Sequence, residues 1–152
     1  MTLGLIIHSL LAVLWVGGMF FAYAILRPSL AEWEALDRLK LWQGVFKRFF
    51  PWVWMSVLGL LLTGYFMIFY GFGGFSGVGL HVHVMHLTGL IMVALFLYLF
   101  HVPWLAFKRA VDQEDVAVAA ARLATIRMIV SANLALGLLT VAVGASGRYW
   151  GG

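Results

Sequence analysis

The 152-residue chain contains no cysteine, only three prolines and few charged residues, which make up 11% of the sequence. Without cysteine there is no disulfide, no thiolate metal ligand and no cysteine nucleophile. Soluble domains carry about a quarter charged residues, so this composition excludes a soluble globular enzyme and a disordered tail. It also excludes a nucleic-acid-binding module, because the formal net charge of +4 rests on only ten basic residues.

What the chain does contain is apolar sequence: 64% of its residues are hydrophobic and the mean hydropathy is +1.00. Crossing the hydrocarbon core of a bilayer takes about 20 apolar residues. Four stretches are long enough, at about 2–26, 51–70, 80–107 and 125–146. The sequence therefore predicts one domain over residues 1–152, an all-α integral membrane protein built as a four-helix transmembrane bundle.

Prolines and caps indicate where these spans begin and end. Pro51 suits the first turn of the second span, and Pro103 is expected to kink or end the third. Asp112 is predicted to cap a helix whose Ala-rich start extends the fourth span. The first stretch lacks the basic lead and the cleavage site of a signal peptide, so we interpret it as a span.

The loops differ sharply in charge. Nine of the ten basic residues lie in the segments 27–50 and 108–127, whereas the glycine-rich loop 71–79 carries no charge. The positive-inside rule places the basic segments in the cytoplasm. We therefore predict a multi-pass protein of the bacterial inner membrane with both termini and the glycine-rich loop in the periplasm.

Three of the five histidines are predicted to lie at one depth. His8 and His86 each lie about 9 Å inside spans that start on the same side, and His83 shares a helical face with His86. Intramembrane ionisable residues usually face the bundle interior and have a function. His81 is expected to be a solvated residue at the helix start, and His101 to belong to an aromatic belt beside Trp104.

Two imidazoles on facing helices of a membrane bundle are the usual ligands of b-type haem. We predict His8 and His86 as the axial pair, with His83 as the alternative ligand or as a donor that orients it. Small residues and Trp15 on the first helix would leave a slot for the haem ring. A stripe on the fourth helix provides further small or polar residues: Asn133, Gly137, Thr140 and Gly144. The same stripes also suit ordinary helix packing.

Arg148 is the only basic residue on the predicted periplasmic side, and all six acidic residues lie on the other. A haem propionate emerging at that surface would pair with it, as would a lipid phosphate. Copper is the competing metal, because His and Met suit it and Met19, Met85 and Met92 lie in or near the spans. Met85 lies on a different helical face from His86, however, and most methionines here are expected to serve helix packing.

Several motifs resemble those of CopD-type (copper resistance D) proteins, in particular the small stand-alone four-helix members. These motifs are HSLLAVLWVGGMFF from residue 8, LRP from 26, FKRFFPW from 46, HVMH from 83 and GRY from 147. The resemblance covers almost the whole chain and implies a four-helix fold and copper transport. The architecture also resembles the small membrane protoporphyrinogen oxidase family, whose short histidine-bearing bundles bind haem b.

Together these features favour a haem b protein, expected to be a homodimer, that transfers electrons between the membrane quinol pool and a periplasmic acceptor. Two axial histidines leave the iron no open position, which favours electron transfer over oxygen activation. A copper-binding or copper-transport membrane protein and a porphyrinogen-type membrane oxidase remain the alternatives. If the protein is an enzyme, we expect a haem-dependent membrane oxidoreductase.

Overall fold

The computed structural model describes residues 1–150, except for the side chain of Arg148. Over that range the chain forms helices, turns and no strand. Four helices are long and apolar enough to cross a membrane: α1 (Thr2–Ser29), α2 (Ala35–Gly71), α3 (Leu80–Asp112) and α4 (Val116–Ser146). The predicted all-α four-helix fold is confirmed, and the chain is a multi-pass membrane protein.

The second helix begins earlier than the apolar run that predicts it. α2 starts at Ala35 and passes through Pro51, which therefore lies inside the helix and not in its first turn. A proline removes one backbone hydrogen bond, but neighbouring helices make that tolerable in a membrane bundle. The basic segment is thus largely helical, and its buried Trp42 and Phe46 belong to the hydrophobic core.

On the basic side, the structure confirms the predicted helix break at Pro103 but not the predicted cap at Asp112. α3 consists of Leu80–His101 and Pro103–Asp112, separated at Val102, because Pro103 has no N–H to continue the ladder. The predicted N-cap at Asp112 is wrong, since that residue ends α3. Asp115 caps α4 instead, accepting a 3.0 Å hydrogen bond from the Val118 N–H. The Ala-rich run does extend α4, as predicted.

The two ends of the bundle are packed differently. At the basic end the core is aromatic: the rings of Phe46 and Phe50 stack with centroids 5.2 Å apart, and Trp104 packs edge-on against both. At the other end, which holds the N-terminus, the turn Gly147–Tyr149, the glycine-rich loop and four of the five histidines, helices meet through small and polar side chains. The four histidines at that end therefore lie away from the aromatic core.

Candidate metal centre

His8 lies in the interface between α1 and α2. Its imidazole is half-buried, and its Nδ1 atom is 2.8 Å from the Oγ1 atom of Thr63. The ring also packs over Gly64, where a Cβ atom would come within 3.4 Å of His8 Cε1. A polar residue of α1 is thus held in place by a polar residue and a glycine of α2.

The partner of Thr63 defines the tautomer of His8. Thr63 Oγ1 lies 2.6 Å from the carbonyl oxygen of Gly59, and a hydroxyl has only one proton to donate. Because that proton goes to Gly59, the hydroxyl must accept from His8, whose Nδ1 carries the hydrogen. The Nε2 atom of His8 then keeps its lone pair, as in a metal-ligating histidine oriented through its other nitrogen.

A methionine continues the same interface toward the chain termini. One turn before His8, Gly4 packs against Phe66 and Met67 of α2, and Met67 Cγ lies 3.7 Å from the position of a Cβ on Gly4. Met67 of α2 therefore packs against α1 one turn before His8. Thioether sulfur and imidazole nitrogen are both ligands that copper accepts.

His83 and His86 come together around a phenylalanine of the glycine-rich loop. His83 is exposed and stacks on Phe75, with centroids 6.1 Å apart. His86 is half-buried and meets Phe75 at 5.2 Å and Tyr65 at 5.3 Å, both edge to face. Tyr65 is two residues from the Thr63 that holds His8, and residues two apart in a helix point to different sides, so His8 and His86 contact different sides of α2.

The structure does not join these histidines into one cluster. Among residues 1–150, no group of three or more His, Cys, Asp or Glu side chains is placed to hold a metal ion. His8 contacts α2 from α1, whereas His83 and His86 contact α2 and the loop from α3. A metal ion or cofactor bound by His8 together with His83 or His86 would be held by imidazoles from both α1 and α3.

The remaining histidines make packing contacts. His81 is half-buried against Gly147 and lies near Trp150, with ring centroids 6.5 Å apart, so it is less solvated than predicted. His101 is exposed, its Nδ1 is 2.9 Å from the carbonyl oxygen of Leu97, and its ring lies edge-on to Trp54. Both lie apart from the interface that holds His8.

The small and polar stripe of α4 packs along α3. Asn133 Nδ2 donates to the Met92 carbonyl at 3.2 Å, while its buried Oδ1 has no hydrogen-bond partner among the described residues. Thr140 Oγ1 lies 2.7 Å from Thr88 Oγ1, and Met85 lies over Gly144. Met85 thus points to α4, away from His86 as predicted, and this stripe is filled by a neighbouring helix.

Two further predicted site residues lie elsewhere. Trp15 is 4% exposed and packs edge-on against Phe96, with centroids 6.3 Å apart, between α1 and α3. The backbone of Arg148 belongs to the turn Gly147–Tyr149, but its side chain lies outside the described residues. Among the small residues of the first helix, Gly4 packs on α2, whereas a Cβ on Gly17 would meet no atom within 4 Å.

Sequence reasoning missed the residues that contact the histidines: Thr63, Tyr65 and Phe75. The one available signal is Thr63, a polar residue in an apolar span one turn after Gly59. The ring contacts of Tyr65 and Phe75 depend on how α2 and the glycine-rich loop face α3, which no local pattern encodes.

The family model described as copper resistance protein D (CopD) matches residues 43–146, a range that includes His83 and His86 but not His8. No curated protein and no solved structure matches the chain.

Proposed function

Because the chain belongs to the copper resistance protein D (CopD) family, we propose that it binds copper within the membrane, at the end of the bundle that carries the histidines. His8 is the first proposed ligand and His86 the second, with His83 as the alternative to His86. Copper is the substrate in this proposal, taken up from the side on which the termini and the glycine-rich loop lie.

The hydrogen bond between His8 and Thr63 carries this proposal. It assigns the proton of His8 to Nδ1, so Nε2 presents a lone pair without any change in protonation. It also limits rotation of the ring, which reduces the entropy that metal binding would otherwise cost.

The surroundings of His86 support it as the second ligand. Its ring is held by aromatic contacts with Tyr65 and Phe75, and no hydrogen bond to it occurs among the described residues. Both of its nitrogens are therefore uncommitted. Met67, beside Gly4 in the interface of His8, adds a soft donor of the kind that favours copper over harder cations.

Haem b is the second candidate, and the same histidines would hold its iron. Haem b in membrane bundles is commonly held by histidines of two helices, and His8 and His86 belong to two helices at the same end of this bundle. His8 would ligate through Nε2 and His86 through its uncommitted imidazole. When bound, the haem would supply one-electron chemistry, and the protein would pass electrons between membrane quinol and a periplasmic acceptor, as a homodimer.

Optical spectroscopy and metal analysis of the purified full-length protein separate these candidates. Copper binding predicts a chain without a Soret band that takes up copper, with less uptake in His8→Ala than in His101→Ala. Haem predicts a Soret band in the protein as purified, removable with acidified acetone because no cysteine can attach it covalently. A protein that binds neither would overturn both proposals.

A further inference from the structure

The basic end of the bundle contains a cleft lined by three arginines. Its volume is about 520 Å³, and it lies where the end of α1, the following loop, α2 and α4 meet. No acidic side chain lines it. The lining residues, called the arginine cleft below, are Tyr23, Arg27, Pro28, Ala31, Arg38 and Arg127.

Local contacts hold the arginines of the cleft in place. The guanidinium carbon of Arg27 lies 5.3 Å from the ring centroid of Tyr23, a cation–π contact. Arg38 Nη1 donates to the Ala31 carbonyl at 3.3 Å. Within residues 1–150, setting aside Arg148, the one ion pair joins Lys40 and Glu114, so no arginine of the cleft has a carboxylate partner there.

Two buried donors beside the cleft lack an acceptor. The Nε atom of Arg127 is buried without a hydrogen-bond partner, and so is the Nε1 atom of Trp42. Trp42 lines a smaller adjoining cavity of about 20 Å³, which shares Tyr23, Arg27 and Arg127 with the arginine cleft. A buried donor without an acceptor destabilises the fold, so this region favours a ligand that accepts hydrogen bonds.

We propose that the arginine cleft binds a phosphate group. A phosphate offers several acceptor oxygens and a negative charge, and guanidinium groups bind it through paired hydrogen bonds. Arg27 lies just after the apolar run 2–26, and Arg127 lies near the start of the apolar run 125–146. Both arginines are therefore at the level of the lipid headgroups. An anionic phospholipid or a free phosphate would therefore bridge α1, α2 and α4 at this end of the bundle.

Thermal unfolding of the full-length protein in neutral detergent tests this site. Phosphatidylglycerol, phosphatidylcholine and inorganic phosphate are titrated separately, and apparent affinity is read from the shift in Tm. Arg127→Gln is compared with Arg122→Gln, an exposed arginine of the same helix outside the cleft. Arg38→Gln provides a second cleft variant if Arg127→Gln fails to fold.

We expect phosphatidylglycerol to stabilise the protein, with apparent affinity roughly tenfold or more weaker in Arg127→Gln or Arg38→Gln, and unchanged in Arg122→Gln. Stabilisation by phosphatidylglycerol alone identifies a lipid headgroup as the source of the phosphate. Stabilisation by inorganic phosphate as well identifies a site for the free anion. No stabilisation by either, or equal losses in cleft and control variants, would overturn the proposal.

Discussion

The Nδ1 atom of His8 lies within hydrogen-bond distance, 2.8 Å, of the Oγ1 atom of Thr63, across the interface of α1 and α2. Since the Thr63 hydroxyl donates its own proton to Gly59, this single contact defines which imidazole nitrogen is free. Thr63, which is not itself a proposed ligand, thereby orients His8, which is one.

Replacing Thr63 by valine should weaken metal binding without removing a ligand. Valine keeps the shape but not the acceptor, so His8 loses its orientation, and we expect affinity to fall by roughly 10–100-fold. Thr63→Ser should retain most of the affinity. Titration of copper against a competing chelator measures the effect, and Thr125→Val, whose hydroxyl bonds within α4 at the basic end, is the control.

The histidine variants are expected to fall into two groups. His8→Ala and His86→Ala should each abolish binding of the metal or of low-spin haem, because each removes a proposed ligand. His81→Ala and His101→Ala should retain it, since these residues pack against Trp150 and Trp54. Metal content and the optical spectrum are the measurements.

His83→Ala should change the spectrum or weaken affinity less than the loss of a ligand does. If His83→Ala abolishes binding while His86→Ala retains it, the two histidines exchange roles. Loss of binding in His101→Ala with His8→Ala unaffected would refute the site at the terminal end of the bundle.

A methyl group added at Gly137 should destabilise the bundle. Its Cβ would lie 2.8 Å from Val16 Cγ2 and 3.2 Å from Met92 Cε, so α1, α3 and α4 would have to separate locally. Overpacking of this kind costs about 1–3 kcal/mol. In unfolding experiments Gly89→Ala should be close to neutral, because a Cβ there meets no atom within 4 Å, and equal effects at both positions would contradict the packing described.

The orientation of the bundle is a prediction from charge alone. The basic segments are expected in the cytoplasm, so an alkaline phosphatase fusion at the C-terminus should be active and one after Glu34 inactive. The opposite activities would place the histidines on the cytoplasmic side and would remove the proposed periplasmic electron acceptor.

The ion pair at the basic end should make stability depend on pH. Lys40 Nζ lies 2.8 Å from Glu114 Oε1, and this hydrogen bond, with the charge of Lys40, lowers the pKa of Glu114. A carboxyl with a lowered pKa stabilises the fold above its unfolded pKa of about 4.3, and that stabilisation is lost as the pH falls through the lower folded value. Glu114→Gln should therefore lower Tm slightly at neutral pH and have no effect in acid.

The control for this prediction is Glu32→Gln, a carboxylate that forms no ion pair among the described residues. Its Tm should match that of the unaltered protein at both pH values. A difference between Glu114→Gln and the unaltered protein that persists in strong acid would show that the side chain acts through something other than its charge.

The sequence by itself determined the four spans, the break at Pro103 and the shared end of the termini and the glycine-rich loop. These features follow from local composition, because hydropathy sums over neighbouring residues and four antiparallel crossings return the chain to the side on which it began. The equal depth of His8 and His86 is a prediction of the same kind, from a rise of about 1.5 Å per residue.

The tertiary structure alone decided what each side chain faces. That Asn133 and Gly137 pack on α3, that Thr63 holds His8, and that Arg127 joins Arg27 in one cleft all depend on the rotation and register of whole helices. In a chain that is apolar on nearly every face, composition does not distinguish the buried side of a helix from the lipid side. Which side of each helix is buried is decided only by how the four helices pack together.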